Sequence, residues 1–389
     1  MARARGRWSR IRAQWRWAVV AGVVAGLIAV PVVSASWPVT DPGVDTATLV
    51  ERIADSDETA YVGLFASRGG LRLPDLGRYD DEVAPFATTS RVRVWYAAPD
   101  SWRADELLIG AERSVRREPG RVVTWDSGTR RARTAPRPDL AEGTEPLRIP
   151  RLMDLAPAEL GRRMVRELRD DPDVVVERVA PRRVAGVDAS GIAFRPADPS
   201  ASQSTIDAVE VWADASTGVV VAVEIETGGV APAFETAWVE LDLLPDGIVP
   251  AREVLRFDPE AAGVPFIVDA TIDPIETVSG FSIGTYPDTL AGLPRRTGGA
   301  AGVATYGDGL ALVTVVALPP GALGRPGRGV YALPTSSRPW GGEARVLSTS
   351  LVNAQLTTSD GLDVLVAGTV TTAELDRIVG ELVGDGVFP

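Results

Sequence analysis

Ser90–Asp126 reads SRVRVWYAAPDSWRADELLIGAERSVRREPGRVVTWD, and this stretch sets the fold class. Over Ser90–Ala97, Val92, Val94 and Tyr96 alternate with Arg91, Arg93 and Trp95, the period of two of a strand with one buried face. Pro99-Asp-Ser-Trp102 turns the chain into Arg103–Ile109, and Pro119-Gly120 separates Glu112–Arg117 from Arg121–Asp126. Apolar and polar residues alternating between short turns predict an antiparallel meander.

Upstream, Asp45–Ala54 reads as a short helix, with Asp45 as N-cap and Leu49, Val50 and Ile53 on one face. Ala60–Ser67 (AYVGLFAS) is a strand, and Arg68–Phe86 a loop or hairpin excursion. Downstream, the Arg- and Pro-rich Arg130–Pro150 reads as irregular. Pro157 suits the first position of a helix running to about Asp170, with Leu160, Met164, Val165 and Leu168 as its apolar stripe. Strands are expected at Asp173–Val179, Gly186–Phe194, Ala208–Ala213, Val219–Thr227, Phe234–Leu243 and Arg252–Phe257, with a polar loop at Asp198–Thr205. Asp-Pro pairs at 258–259 and 273–274 mark a change of texture, which sets a domain boundary near Ile275. Beyond it come shorter runs at Gly280–Gly284, Gly302–Tyr306, Leu310–Leu318, Arg345–Thr349, Asn353–Thr358 and Leu362–Gly368, with turns at Gly307-Asp-Gly309 and Asp360-Gly361. Thr372–Val383 closes the chain as a helix. Leu375, Ile378, Val379 and Leu382 form its stripe, and Thr371 with Glu374 forms a capping box.

The chain has 389 residues, ample for two or three domains and a sizeable core, and 39 Gly and 30 Pro favour a turn-rich β structure. It has no His, no Cys and no Lys, so its 40 basic residues are all Arg. A Ser-His-Asp or Cys-His nucleophile, a His or thiolate zinc site, a Schiff-base Lys and a P-loop Lys are therefore excluded, as is any disulfide. Carboxylates, hydroxyls and Tyr are left, which moves the expectation from enzyme toward binding protein, with no catalytic residue, metal or cofactor assigned.

Six Arg (Arg3, Arg5, Arg7, Arg10, Arg12, Arg16) precede any acid, and residues 18–35 are uncharged. A basic flank before an apolar run predicts export, with the start in the cytoplasm. Val33-Ser34-Ala35 fits a signal-peptidase site, while 18 uncharged residues just suffice for a spanning anchor. Both readings of residues 1–35 stay open, and 36–44 is a Pro-containing tether. With the six Arg set aside, 34 Arg face 52 acids, a formal charge of about −18. That sign disfavours nucleic acid and anionic headgroups.

Paired carboxylates at Asp80, Asp81 and Glu82, or at Asp170 and Asp171, are better read as solvated charges than as acid-base or calcium sites, since no EF-hand spacing supports them. Gly307-Asp308-Gly309 is better read as a hairpin turn than as an anion nest. Arg130-Arg131-Ala-Arg133, the basic cluster of the exported part, is either a solvated loop or a contact for an acidic partner segment. Trp95 shares a face with Arg91 and Arg93, and Trp212 with Glu210, so these Trp point away from the aliphatic side. Either both faces of the sheet are partly covered, or the sheet curves around an apolar cleft.

In order, the chain shows Ala60-Tyr-Val-Gly-Leu-Phe65, then Tyr96-Ala-Ala-Pro-Asp-Ser-Trp-Arg103, then Gly120-Arg-Val-Val-Thr-Trp-Asp126. The Pro157-Ala-Glu-Leu160 helix and Trp212-Ala-Asp-Ala-Ser-Thr-Gly218 follow. This order resembles the lipoprotein-carrier superfamily of LolA, LppX and the amino-terminal domain of RseB and MucB. Ser279-Gly280-Phe281, Tyr306-Gly-Asp-Gly-Leu310 and a helix opened by Gly368, Val370, Leu375 and Ile378 resemble the small carboxy-terminal domain of RseB/MucB, which LolA lacks. The resemblance spans roughly residues 46–383. It implies a mainly β (α+β) fold, with a LolA-like unclosed antiparallel half-barrel over 45–275, covered by helices, and a small α+β domain over 276–389. It further implies a non-catalytic envelope regulator that binds the extracytoplasmic part of a membrane anti-sigma factor and responds to a lipid or acyl-chain ligand. The alternative is a carrier of lipids or lipoproteins, which requires a dry pocket of a few hundred Å³ (about that size for one chain). The expected cleft residues are Phe65, Trp95, Trp102, Trp125, Trp212 and Trp238, with Leu160 and Met164 on the covering helix; ordinary core packing is the other reading of each.

Overall fold

The alternation over Ser90–Ala97 becomes strand β2 (Thr89–Ala98), with Val92, Val94 and Tyr96 buried. The structure, a computed structural model, describes residues 39, 41–71, 86–136, 152–258, 266–268, 285–296, 302–321, 329–359 and 362–384. The uncharged N-terminal run, the acids at 80–82, the boundary at 275, the 279–281 motif and the Asp360-Gly361 turn fall outside them. No helix among the described residues is long and apolar enough to cross a membrane.

Helix α1 (Thr46–Ala54) starts where the sequence predicts. Asp45 accepts from the Thr48 amide at 2.9 Å, and Leu49 and Ile53 are buried. Then come β1 (Tyr61–Gly69), β2, β3 (Ser101–Leu108), β4 (Ala111–Glu118), β5 (Arg121–Asp126) and β6 (Arg131–Pro136). Helix α2 (Pro157–Leu168) separates this meander from a second one, β7 (Val174–Val184), β8 (Val187–Pro196), β9 (Ala208–Asp214), β10 (Val220–Glu226) and β11 (Phe234–Leu243). The two join because β1 pairs with both β2 and β11. With the short β12 (Phe266–Val268) set parallel on β6, one open sheet of twelve strands results, in the order β12-β6-β5-β4-β3-β2-β1-β11-β10-β9-β8-β7.

Two expectations need correction. Arg252–Phe257 is not a strand: Arg252–Leu255 forms a one-turn helix, α3, with Leu255 buried. Six residues are too few for periodicity to separate the two states. Arg130–Pro150 is not irregular throughout, because β6 pairs with β5 from Asp126↔Arg131 to Arg121↔Pro136. Its exposed Arg131 and Arg133 alternate with buried Ala132 and Thr134, a strand pattern masked by charge.

The second sheet has six strands, β15 (Val303–Tyr306), β16 (Val313–Leu318), β20 (Leu362–Gly368), β19 (Asn353–Ser359), β18 (Glu343–Ser348) and β17 (Thr335–Ser337), in that spatial order. The preceding β13 (Thr289–Leu290) and β14 (Leu293–Pro294) make a small hairpin. Helix α4 (Thr372–Gly384) buries Leu375, Ile378, Val379 and Leu382 against this sheet, as its spacing predicts. Both sheets lie within one compact unit, Pro42–Pro389.

The Trp212–Gly218 segment shows why its residue types are needed. Asp214 accepts from the Thr217 amide at 2.9 Å, Thr217 Oγ1 at 2.7 Å and Ser216 Oγ at 2.6 Å. Gly218 has a left-handed φ of 76°, and a Cβ there would lie 2.1 Å from the Arg52 carbonyl oxygen, so α1 rests directly on this turn. Burial works against the Asp214 charge, but the Ser216 and Thr217 hydrogen bonds prevail and hold its pKa below the ordinary 3.8. A depressed carboxylate stabilises the fold above its unfolded pKa, and that contribution is lost as pH falls through the folded value. Asp214→Asn is therefore expected to lower the melting temperature most at neutral pH, with the gap closing as pH falls below 3.8; melting curves across that range check it.

Candidate functional site

The ladders settle which face each aromatic occupies. Tyr61 pairs with Tyr96 and Phe65 with Val92 on one side, and Phe65 pairs with Trp238 on the other. Tyr96 pairs in turn with Trp102. Since strand side chains alternate, Tyr61, Phe65, Tyr96, Trp102 and Trp238 share one face. Helix α2 covers that face. Gly161 lets it approach so closely that a Cβ there would lie 2.6 Å from Val220 Cγ1.

Under the cover the rings form one cluster. Tyr61 and Tyr96 stack at 4.8 Å with 6° between planes. Trp238 stands edge-on to Tyr61 at 5.4 Å and to Phe65 at 5.7 Å, and its indole N–H donates to the Val220 carbonyl at 3.1 Å. Phe65 is 0% exposed, Trp238 3% and Trp102 9%. Helix α2 buries Pro157, Ala158, Gly161, Arg162, Val165 and Leu168. Leu160 and Met164, expected to lead its stripe, are half-buried at its flank and pack against the same core. The stripe is rotated because Arg162 points inward, ion-paired with Glu159.

Burial works against the Arg162 charge, yet Glu159 and the Tyr96 hydroxyl hold its pKa above the ordinary Arg value. Burial pushes the Tyr96 hydroxyl up to about 12, opposed by Arg162; that hydroxyl donates to the Asp57 carbonyl at 2.9 Å. The face is thus an aromatic wall with one buried cation–carboxylate pair under its covering helix. Arg162, Glu159 and Tyr61 belong to it but escaped the sequence reading, because a charged residue on an amphipathic helix normally marks the solvent side.

Trp95, Trp125 and Trp212 lie on the opposite face. Arg103 sits over the Trp95 ring at 4.8 Å, and Arg182 over Trp212 at 3.6 Å. Trp212 also donates to the Ala180 carbonyl at 3.0 Å. Trp125 packs on Phe257 at 5.6 Å, beside the α3 segment. Both faces are therefore partly covered. The structure brings Phe65 and Trp238 together in the ring cluster on the face that α2 covers, sets Trp102 on the same face and in the same core, and keeps Trp95, Trp125 and Trp212 on the other face. A shallow cavity of about 420 Å³ lies elsewhere, against α4, lined by Pro339, Trp340, Ala373, Asp376, Arg377 and Gly380.

The six-stranded sheet is fastened to the rim of the larger one through the β8–β9 loop. Ser204 Oγ donates to the Leu310 carbonyl at 2.8 Å and accepts from the Ile206 amide at 2.9 Å. The Thr205 amide donates to the Thr369 carbonyl, and the Thr371 amide to the Gln203 carbonyl, both at 2.9 Å. This last bond alters the capping box. Thr371 Oγ1 accepts from the Glu374 amide at 3.2 Å, but the Glu374 carboxylate turns to Arg377. Arg296 pairs with Glu167 across the same junction, and Leu310 and Leu351 join the core of the large sheet.

Comparison with solved structures returns MucB and LolA superfamily proteins among its matches. The chain is similar to MucB. The Pseudomonas aeruginosa MucA/MucB complex matches at 19% identity and TM-score 0.46, over 86% of this chain and 97% of that one. MucB alone matches at 20% identity and TM-score 0.44, over 87% and 98%. A LolA superfamily protein from Nitrosomonas europaea matches at 12% identity and TM-score 0.21, over 54% of this chain and all of that one. These neighbours are the MucB and LolA-type proteins to which the sequence bears its resemblance. No family model and no curated protein sequence matches the chain.

Proposed function

We propose that this chain is a non-catalytic extracytoplasmic regulator that binds the extracytoplasmic part of a membrane anti-sigma factor. The observation that carries the reading is the fastened second sheet. A carrier needs only the half-barrel, whereas here Ser204, Thr205 and Thr371 hydrogen-bond a further α+β unit to its rim. The resemblance of that unit to the RseB/MucB tail supports a partner-binding role, and MucB itself is described in complex with MucA(peri). The division into residues 45–275 and 276–389 is part of the same proposal. So are export by residues 1–35, whether cleaved or retained, and the absence of any cofactor or metal.

A lipid or acyl-chain ligand is the finer part of the proposal. Phe65, Trp102 and Trp238 with Leu160 and Met164 would line its site, and the chain would enter as α2 lifts from the aromatic wall. Trp95, Trp125 and Trp212, on the other face, would take part only in a second contact. Linkage gives the test: a ligand that loosens the partner must bind the free protein more tightly than the complex. Titrating an acyl phospholipid into the protein with and without a bound extracytoplasmic anti-sigma segment is expected to show that difference. Equal affinities would remove the lipid response, and failure of any such segment to bind would remove the regulator reading.

A further inference from the structure

Two neighbouring turns at one end of the large sheet carry side chains that the core does not use. The end of β3 and the β3–β4 turn present Leu107, Leu108 and Ile109, exposed by 48%, 38% and 107%. The β5–β6 turn beside it carries Arg130, and Arg131 and Arg133 follow on β6, all three exposed. Arg130 and Arg131 make no ion pair with any described residue. The two turns are bound together: the Glu112 amide donates to Ser127 Oγ at 2.7 Å, and the Ser127 amide to the Glu112 carbonyl at 3.0 Å.

Three consecutive exposed aliphatics on a tip are unusual for a surface left in water. A basic cluster beside them runs against the sign of the chain beyond its first six Arg, which carries about −18 in all. We propose that these paired turns dock the folded unit on an anionic phospholipid surface, with Leu107, Leu108 and Ile109 entering the headgroup boundary and Arg130 and Arg131 meeting the lipid phosphates. The net charge opposes approach at long range, but screening over a Debye length of about 8 Å leaves contact to the turns themselves, where Arg130, Arg131 and Arg133 outnumber Glu112 and Asp126. The same charges exclude a second copy as occupant, because self-docking through the tips would bring the arginines of both copies to one seam. The uncharged run at residues 18–35 agrees with a chain that works beside a membrane.

The absence of Cys makes the test direct, since a single introduced Cys is labelled uniquely. Full-length Ile109→Cys carries an environment-sensitive fluorophore and is mixed with vesicles of phosphatidylglycerol and phosphatidylcholine in equal parts. Ser216→Cys, in the β9–β10 turn at the other end of the strands, is the control. Emission from position 109 is expected to shift to the blue while that from 216 stays unchanged. Arg130→Gln with Arg131→Gln is expected to weaken the titration roughly ten- to thirtyfold, and vesicles of phosphatidylcholine alone to weaken it similarly. No shift at 109, or equal shifts at both positions, overturns the proposal. So does a shift without vesicles that grows with protein concentration, which reports self-association.

Discussion

Trp238→Ala is expected to destabilise the fold by about 3–5 kcal/mol. The ring fills the centre of the helix-covered face, edge-on to both Tyr61 and Phe65. Its loss opens a cavity that β1, β11 and α2 cannot all close, and the Val220 carbonyl loses its indole donor. Trp95→Ala supplies the contrast. Trp95 is half-buried on the opposite face under Arg103, so its truncation removes a cation–π contact and a little packing, about 1 kcal/mol. Denaturant unfolding followed by far-ultraviolet circular dichroism separates the two. Equal losses would mean that the faces are assigned wrongly.

Gly218→Ala is the second large effect, expected at about 3 kcal/mol. A left-handed φ alone costs a non-glycine residue about 1–3 kcal/mol, and here the new methyl also meets the Arg52 carbonyl oxygen and carbon at 2.1 and 2.4 Å. That obstacle is backbone, so relief requires α1 to lift from the turn. Gly186, with φ 85° and nothing within 4 Å of its Cβ position, bears the strain without the collision. Gly186→Ala should therefore cost only the backbone strain, about 1–2 kcal/mol. Hydrogen exchange supplies the finer readout: Gly218→Ala loses amide protection in Thr46–Ala54, and Gly186→Ala does not. If the two variants behaved alike, α1 would not depend on the Trp212–Gly218 turn.

These two sites also mark what the sequence made legible. The period of two over Ser90–Ala97 and the turn residues at Gly120 and Gly218 specify strands and their ends locally, so the meanders could be read directly. The Asp45 cap and the stripe from Leu375 to Leu382 did the same for two helices. What could not be read depends on long-range pairing. The sequence places Trp95, Trp212 and Trp238 alike, in strands, and only the registers of β1 with β2 and β11, and of β10 with β9 and β11, send the first two to one face and the third to the other. Arg162 looks solvent-facing until Glu159 and Tyr96 are found beside it. Ser204 sits in a run of Ser, Thr and Gln with no local signal, yet it fastens two sheets, because its partners lie more than a hundred residues away.

The central claim, that the chain is a regulator holding a membrane polypeptide, is tested most directly by native mass spectrometry of the protein gently solubilised from its own envelope. The account predicts a stoichiometric complex with a single-span membrane polypeptide whose extracytoplasmic segment rebinds the purified protein. The protein alone, or the protein carrying only an acyl-chain lipid, would contradict the regulator reading, and the lipid adduct would favour the carrier in its place.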